Sequence, residues 1–141
     1  MNQKWEKPTI EHGKMTKYNY IVQYPENLDL GKNFDIGEFT YINSNFGVKI
    51  SDNVQIGSHC SIYSNSTIDS KHGKVILKPN CKIGSHSTVM PGVTIGENSI
   101  VAAYSFVNQN IPENEMWGGV PIKFIKKNWY FLKLNLFFKK S

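Results

Sequence analysis

Two histidines and an asparagine form the group of residues best suited to move a proton. His72 follows Asp69 by three residues, and a carboxylate that orients an imidazole makes it an effective general base. Asn65 precedes them with a side-chain amide, which could hold an acceptor or the oxyanion of a tetrahedral intermediate. These residue types can take up or release a proton and stabilise developing negative charge. The predicted catalytic residues are His72, His59 and Asn65.

Composition and charge argue against several other functions. The 141 residues make one domain, and the 16 basic residues are all lysine, which weakens a nucleic-acid function because base and phosphate recognition favours arginine. Residues 1–122 carry a net charge of 10 − 11 = −1, so the whole positive excess lies in 123–141. The polar start lacks the apolar segment of a signal peptide, and no apolar run is long enough to span a bilayer. We therefore expect a cytoplasmic protein with no nucleic-acid partner.

A repeat of period six indicates the elements that must position the candidate residues. A helix would need apolar residues three and four apart, and a simple strand two apart. A period of six with many β-branched residues fits three short flat faces in each coil of a β-solenoid, with neighbouring coils about 4.8 Å apart. The inward aliphatic positions are Leu30, Ile36, Ile42, Ile50, Ile56, Ile62, Ile68, Leu77, Ile83, Val89, Ile95, Val101 and Val107.

The repeat is interrupted twice and predicts which side chains stack in successive coils. Two extra residues fall near Gly47 and three within 69–74, and both interruptions predict corner loops. Cys60 and Cys81 are expected to stack inward in neighbouring coils as free thiols, with a disulfide as the alternative. Because His59 and His86 are expected at different corners, no metal site is predicted. The predicted corner columns are Asn45–Asn65–His86–Tyr104 and, at another corner, His59–Asn80.

Two stretches resemble the hexapeptide-repeat acyltransferases. Residues 83–105, IGSHSTVMPGVTIGENSIVAAYS, carry the isoleucine–glycine repeat of that family, and 111–123, IPENEMWGGVPIK, is similar to its P-x-N and G-x-P-x-K ending. The resemblance covers roughly 27–127 and implies an all-β fold, a left-handed parallel β-helix, assembled as a homotrimer with acetyl-CoA between subunits. The implied divisions are an irregular N-terminal cap (1–27), the β-helix (28–111), a cofactor-binding loop (112–127) and a short basic aromatic C-terminal segment (128–141).

The same resemblance implies which residues contact acetyl-CoA. Backbone groups near Ala103 would meet the pantetheine arm, and glycines would let the chain approach the cofactor closely. Lysines after the last coil would face the adenosine phosphates; the alternative for each is a solvated surface charge. The implied cofactor-binding residues are Ser85, Ala103, Ser105, Gly118, Gly119, Lys123 and Lys126.

The acceptor side departs from the maltose and galactoside O-acetyltransferases, which 27–68 resembles without a gap. Their catalytic histidine falls at Thr67 and their acceptor-binding asparagine at Gly37. A hydroxyl needs a positioned base, whereas a deprotonated amine needs mainly orientation and an oxyanion donor. The loss of the usual histidine therefore favours an amino-sugar acceptor. The implied acceptor-binding residues are Thr67, Asp69 and His86.

The predicted function is an acetyl-CoA-dependent N-acetyltransferase acting on a nucleotide-linked amino sugar, such as a dTDP-linked 3-amino-3,6-dideoxyhexose, by direct transfer in a ternary complex. A saccharide O-acetyltransferase with His72 or His59 as its base is one alternative. A catalytically silent trimeric scaffold is another. A γ-class carbonic anhydrase is disfavoured because the chain has no H-x4-H pair.

The segment 128–141 is rich in aromatic residues and lysine. The favoured interpretation is an element packed along the β-helix or across the trimer seam. The alternative is a segment that lies on an anionic membrane surface.

Overall fold

The computed structural model describes residues 4–128, and almost all the regular structure in that range is short β-strand. Its one helical element is a 3-10 turn, Pro25–Asn27. The strands in chain order are β1 (Ile21–Gln23), β2 (Leu28–Leu30), β3 (Asp35–Ile36), β4 (Tyr41–Asn43), β5 (Val48–Ile50), β6 (Gln55–Ile56), β7 (Ser61–Tyr63), β8 (Asn65–Ser66), β9 (Lys71–His72), β10 (Val75–Leu77), β11 (Lys82–Ile83), β12 (Thr88–Val89), β13 (Thr94–Ile95), β14 (Ile100–Val101), β15 (Phe106–Val107), β16 (Glu115–Gly118) and β17 (Lys123–Lys127).

The chain winds through three stacked sheets, which form the three faces of a coil. The first face contains β2, β5, β10 and β13, the second β3, β6, β11, β14 and β16, and the third β1, β4, β7, β12 and β15. Strands within each of these faces are parallel, and the coil has the predicted left-handed β-helical form. We call the turn after the first face the first corner, the turn after the second face the second corner, and the turn after the third face the third corner.

The predicted aliphatic positions line the inside of this coil. They pair in register with the equivalent residue of the next coil, so each position forms a continuous buried column. On successive faces the pairs are Ile50 with Leu77, Ile56 with Ile83, and Ile62 with Val89, all at most 3% exposed. Burial of aliphatic side chains at every face is the main apolar contribution to the stability of the fold.

Ile68 was predicted to point inward, and that prediction is wrong. The side chain is 99% exposed, in the turn of a hairpin formed by antiparallel β8 and β9. Leu77 lies fifteen positions after Ile62. Six of these positions are the normal step of the repeat from one face to the next, and the other nine form a loop that projects outward. Keeping Ile68 inside would have placed His72, four residues later, at the next inward corner, where its imidazole would lose water.

This longer insertion also overturns the predicted stacking of the two cysteines. Cys60 lies at the second corner, next to Ser87 of the following coil, whose carbonyl accepts the Ser61 N–H. Cys81 lies at the first corner, where its carbonyl accepts the Gln55 N–H. Both cysteines are buried and free. They lie in different columns because every residue of the repeat after 68 occupies a face one step away from the predicted face.

Each predicted corner column mixes residues of two different corners for the same reason, although His86 and Tyr104 do stack on each other as predicted. His59 stacks on His86, and the Asn80 N–H instead bonds to the Asp52 carbonyl at the first corner. The first corner carries a column of asparagines with left-handed backbone, a conformation that asparagine tolerates well. The members of this asparagine column are Asn33, Asn53, Asn80, Asn98 and Asn114.

Irregular chain closes the N-terminal end of the coil. Within 4–20 no strand is formed, and Trp5 and Ile10 pack against the core. The Trp5 indole N–H donates to the Phe34 carbonyl at 3.1 Å. Regular pairing begins at Ile21, because β1 already bonds to β4.

The C-terminal end is closed by β17, which turns back antiparallel along β16. The buried Glu115 carboxylate accepts hydrogen bonds from Lys127 Nζ and from the Trp117 indole. The Lys127 hydrogen bond, followed by that of Trp117, lowers the pKa of Glu115 below its ordinary value of 4.5. This ion pair fastens the last strand to the coil.

The structure does not describe residues 129–141, so both interpretations of the segment 128–141 stay predictions. Asn128 is described, and its side-chain amide donates to the Asn98 carbonyl at 2.9 Å. From residue 4 to residue 128 the chain contains no helix with the length and apolar character needed to cross a bilayer.

The register can be tested by comparing two isoleucines. Ile62→Ala removes a fully buried side chain and should lower the free energy of unfolding by about 2–5 kcal/mol. Ile68→Ala removes a fully exposed one and should change it by less than about 0.5 kcal/mol. Urea unfolding monitored by circular dichroism measures both. Equal losses would contradict the outward hairpin.

The Glu115–Lys127 pair predicts a specific dependence of stability on pH. Because the pKa of Glu115 is lowered on folding, its contribution is present above pH 4.5 and is lost as the pH falls through the lowered value. Lys127→Met should reduce the melting temperature at pH 7 and flatten its decline below pH 4.5. Lys126→Met, an exposed neighbour on the same strand, is the control and should keep the wild-type profile.

Candidate functional site

The second corner brings together most of the residues predicted to contact acetyl-CoA, whereas Lys126 pairs with Met116 within the second face. Ser85 and Ala103 occupy equivalent turns of neighbouring coils, because the Gly84 N–H bonds to the Val101 carbonyl. The next coil continues the same edge, where the Ala102 N–H bonds to the Trp117 carbonyl immediately before Gly118. The other predicted cofactor residues therefore follow one another along one edge of the β-helix.

Two of these residues present unused polar groups. Ala103 is exposed, and its N–H and C=O make no hydrogen bond to any residue within 4–128. The Ser85 carbonyl accepts the Tyr104 N–H at 2.9 Å, whereas its own N–H and hydroxyl have no bonding partner in the same range. This edge can therefore donate hydrogen bonds to a ligand carbonyl or amide that lies along it.

Ser105 has a different role in the same corner. It is only 3% exposed. Its hydroxyl donates to the Ala102 carbonyl at 2.6 Å and accepts the Gly119 N–H at 3.1 Å, while its own N–H bonds to the Ser87 hydroxyl. Ser105 thus holds the final turn in place, and its polar groups are already used.

The two glycines of this turn are required for separate reasons. A Cβ at Gly118 would lie 2.8 Å from both Ala102 Cβ and Ile125 Cδ1, so packing within the chain excludes one. Gly119 has a φ of +103°, which strongly favours glycine. Lys123 is the cross-strand partner of Gly118 and is exposed, so it lies beside the end of this edge.

A column of stacked rings runs along the same corner. Phe39 and His59 are 5.2 Å apart between ring centroids, His59 and His86 4.6 Å, and His86 and Tyr104 4.7 Å. The last two pairs are nearly parallel, at 5° and 8°. We call these four residues the ring column. Sequence reasoning missed Phe39 and separated the two histidines.

Each residue of the ring column has a left-handed backbone, with φ between 59° and 64°. This conformation is unfavourable for bulky side chains, whereas the equivalent turn of the first corner uses asparagine throughout. Strain of this kind at one corner and not another points to a functional surface. A sequence signal for this corner existed. The third residue after each aliphatic position of the first face is asparagine, whereas the third residue after each aliphatic position of the second face carries a ring.

The hairpin gathers a second group of predicted residues at the third corner. Asn65 and His72 are direct cross-strand partners, and the His72 ring stacks on Phe46 with 4.4 Å between centroids. Asp69 lies 3.9 Å from Lys71 Nζ, and among the described contacts it does not meet His72. Thr67 is exposed in the turn.

These two groups lie on opposite edges of the third face. The chain from Cys60 to Ser64 crosses between them, and at about 3.3 Å per residue the two corners are roughly 13 Å apart. One chain therefore does not bring the hairpin side chains into contact with the second corner.

Neither cysteine is suited to be a nucleophile. Burial raises the pKa of the Cys60 thiol above its ordinary value and that of Cys81 to about 12. Both are therefore protonated at neutral pH, and a thiol is much less nucleophilic than a thiolate. Among residues 4–128, no three histidine, cysteine or acidic side chains gather as metal ligands would.

Comparisons with known proteins agree with this geometry. Residues 74–109 match the family described as bacterial transferase hexapeptide (six repeats). Galactoside O-acetyltransferase of Escherichia coli is 34% identical over an alignment that covers 80% of this chain and 66% of the relative. The Lactococcus lactis enzyme of the same name is 33% identical and is covered over 51% of its length. The chain thus spans less than two thirds of these curated relatives.

Two solved structures are similar over most of the chain. A galactoside acetyltransferase in complex with coenzyme A has a TM-score of 0.71 and 30% identity, and the match covers 77% of this chain and 58% of that one. AntD, an N-acyltransferase from Bacillus cereus in complex with dTDP and 3-hydroxybutyryl-CoA, has a TM-score of 0.69 and 25% identity. That match covers 89% of this chain and 86% of AntD.

The buried thiols predict low chemical reactivity. Because Cys60 and Cys81 are both protonated and shielded, an aromatic disulfide reagent should modify neither in the folded protein and both after unfolding in guanidinium. Absorbance of the released thiolate gives the number of reactive groups per chain. Rapid modification of Cys60 in the folded state would contradict its burial.

Proposed function

Since the chain belongs to the hexapeptide-repeat family of left-handed β-helix acyltransferases, we propose that it transfers an acetyl group from acetyl-CoA to the amine of a nucleotide-linked sugar. The observation that carries the proposal is the second corner. Unused backbone groups, an exposed lysine and a column of rings lie there on one continuous edge. Acetyl-CoA is a substrate in this scheme, and its thioester must lie where a nucleophile can reach it.

The groups of the second corner fit the parts of acetyl-CoA. The N–H and C=O of Ala103 match the amide groups of a pantetheine arm, and the N–H or hydroxyl of Ser85 can stabilise negative charge on a thioester oxygen. Lys123, at the end of the same edge, can pair with a phosphate. Similar structures contain coenzyme A or an acyl-CoA, which supports this assignment.

The acceptor assignment rests on the hairpin and on the likeness to AntD. Thr67 stands in the turn of the hairpin, and an uncharged hydroxyl can orient a sugar but cannot act as a base near neutral pH. AntD, which is covered over 86% of its length, was solved with dTDP. Both points favour an acceptor that brings its own nucleophile, an amine, over one that needs a strong protein base.

The proposed reaction is a single displacement through a tetrahedral intermediate. The amine nitrogen attacks the thioester carbonyl carbon, the C–N bond forms, and the C–S bond breaks as the carbonyl re-forms. The nitrogen loses one proton, and the departing thiolate of coenzyme A takes one up. Of the four exposed imidazoles, those of His72 and His59 are the two that we propose to relay this proton. Two protonated, buried thiols support direct transfer without an acyl-enzyme.

A complete site requires more than one copy of the chain under this proposal. The hairpin group and the second corner are separated by the width of the third face, so they can meet only if the hairpin edge of one copy approaches the second corner of another. We therefore propose that the chain acts as a homotrimer, with one site at each seam. Light scattering coupled to size-exclusion chromatography measures the mass.

A saccharide O-acetyltransferase is the second candidate. It is favoured by the 34% identity to galactoside O-acetyltransferase and by the exposed imidazole of His59 beside the second corner. In that case His59 or His72 would act as a general base. A catalytically silent trimer, the remaining alternative, would bind neither substrate productively.

The decisive assay follows release of the coenzyme A thiol with a panel of sugars. We expect turnover with dTDP-linked amino-deoxyhexoses and a rate at least 100-fold lower with the matching hydroxy sugars, since these sugars lack a good nucleophile at neutral pH. Faster turnover of galactosides or maltose would establish the O-acetyltransferase. No turnover with any sugar would leave only the scaffold.

Histidine variants separate the two mechanisms. If the amine attacks without a protein base, His72→Gln and His59→Gln should each keep kcat within a few-fold of wild type. Loss of an essential general base should lower kcat by about 10²–10⁴-fold. His12→Gln, in the N-terminal cap, is the matched control. A 100-fold loss in either of the first two variants alone would contradict the base-free mechanism.

Lys123→Met tests the phosphate assignment. Loss of one charge-assisted hydrogen bond should raise KM for acetyl-CoA by about 10-fold while kcat stays within a few-fold. Lys49→Met, an exposed lysine on the first face, should change neither constant. An unchanged KM in Lys123→Met would remove Lys123 from the cofactor site.

A further inference from the structure

The C-terminal end of the β-helix exposes apolar and basic side chains together. β17 is the terminal strand of the second face, and all five of its residues are exposed. Phe124 and Ile125 are each 50% exposed, and Val120 in the preceding loop is 74% exposed. We call Val120, Lys123, Phe124, Ile125 and Lys126 the end patch. It lies at the end of the solenoid, beyond the last coil.

Packing onto β16 does not account for the apolar side chains of the end patch. Met116 pairs with Lys126 and Trp117 pairs with Phe124, so Ile125 is the extra residue of a bulge. A bulge interrupts the alternation of a strand and re-aims its side chains. The result here is that Phe124 and Ile125 both keep half of their surface in water. Contiguous exposed apolar surface of this kind often marks an interaction site.

The positive charge of the end patch is not neutralised within 4–128. Lys123 and Lys126 form no ion pair in that range, whereas Lys127 on the same strand pairs with Glu115. Glu115 is also the last acidic residue of the chain. The two unpaired lysines therefore produce a local positive potential beside the apolar side chains, and this potential attracts an anionic partner.

Charge also decides among the partners that could cover the end patch. A second copy placed end to end would bring like charges together, which is unfavourable. Residues 129–141 contain three lysines and no acidic residue, so their charge does not complement the patch either. Nucleic acid offers phosphates, but a chain without arginine is poorly equipped to recognise it. An anionic lipid surface offers both negative headgroups and an apolar layer.

We propose that the end patch docks the protein on an anionic lipid bilayer. Val120, Phe124 and Ile125 would enter the boundary between headgroups and acyl chains, while Lys123 and Lys126 pair with lipid phosphates. Each basic residue near such a surface tightens binding by about fivefold. One end patch therefore gives weak, reversible binding, with the C-terminal end of the β-helix facing the membrane.

Assembly would strengthen this contact, and this step alone rests on the proposed function. In a homotrimer of parallel β-helices the three end patches face the same way, so they can reach one flat surface together. Several weak contacts in one assembly bind far more tightly than one contact does. A bilayer can engage all three patches at once, whereas a small anion cannot.

Co-sedimentation of the full chain with lipid vesicles tests the proposal, without acetyl-CoA or sugar. The vesicles contain phosphatidylcholine alone or phosphatidylcholine mixed with phosphatidylglycerol. We expect binding to the anionic mixture to be at least about tenfold tighter than to phosphatidylcholine alone. High salt should remove most of this binding, because it screens exposed charges.

Two variants assign the binding to the end patch, and both spare Lys123, which we also place near a phosphate of acetyl-CoA. Lys126→Glu changes the charge by two and should weaken binding by about 25-fold. Ile125→Ser removes an apolar contact and should weaken it by about fivefold. Lys49→Glu, on the first face, and Ile68→Ser, in the hairpin turn, are the matched controls and should bind as the wild type does. Thermal melting checks that each variant is folded.

The proposal is wrong if the protein does not bind anionic vesicles, or if Lys126→Glu and Ile125→Ser bind them as tightly as the wild type. Displacement from the vesicles by inorganic phosphate at constant ionic strength would instead indicate a site for a small anion. Tighter binding of duplex DNA than of anionic vesicles would assign the patch to nucleic acid. Each result is distinguishable from failure of the proposed function, because thiol release from acetyl-CoA is measured without lipid.

Discussion

Backbone hydrogen bonds between coils are the constraint on which the rest of the molecule depends. At the second corner the coils approach so closely that a Cβ at Gly57 would lie 2.6 Å from the Ser85 nitrogen, and one at Gly84 would lie 2.4 Å from the Ala103 nitrogen. Equivalent residues of successive coils are therefore direct neighbours. The aliphatic columns, the asparagine column and the ring column all result from this one repeated contact.

The same constraint explains how far the sequence predicts the structure. Spacing alone identified the coil and twelve of its inward aliphatic positions, because burial on a β-helix repeats every six residues. It failed at Ile68, where an aliphatic residue at the correct interval is followed by residues too polar to bury. The prediction then assigned the later residues to the wrong face. It paired Cys81 with Cys60, grouped His86 and Tyr104 with Asn45, and separated His86 from His59. The asparagine three residues after Leu30, Ile50, Leu77 and Ile95 marks the first corner independently and would have restored the register.

The candidate site was only partly accessible to such reasoning. Motif resemblance placed most of the implied acetyl-CoA contacts at positions that prove to share one edge. It could not show that the polar groups of Ser105 form hydrogen bonds within the chain, whereas the backbone N–H and C=O of Ala103 do not. That distinction depends on which side of a turn each group faces.

The antiparallel return of β17 has a consequence for how the molecule avoids polymerising. A parallel β-helix that simply stopped would present open strand edges at its end, and another copy could continue the stack. Here β17 covers the edge of β16, and the Glu115–Lys127 pair holds it there. The outward side of β17 carries exposed lysines, whose mutual repulsion discourages end-to-end growth into fibres. The strand that carries Lys123 thus also limits the length of the solenoid.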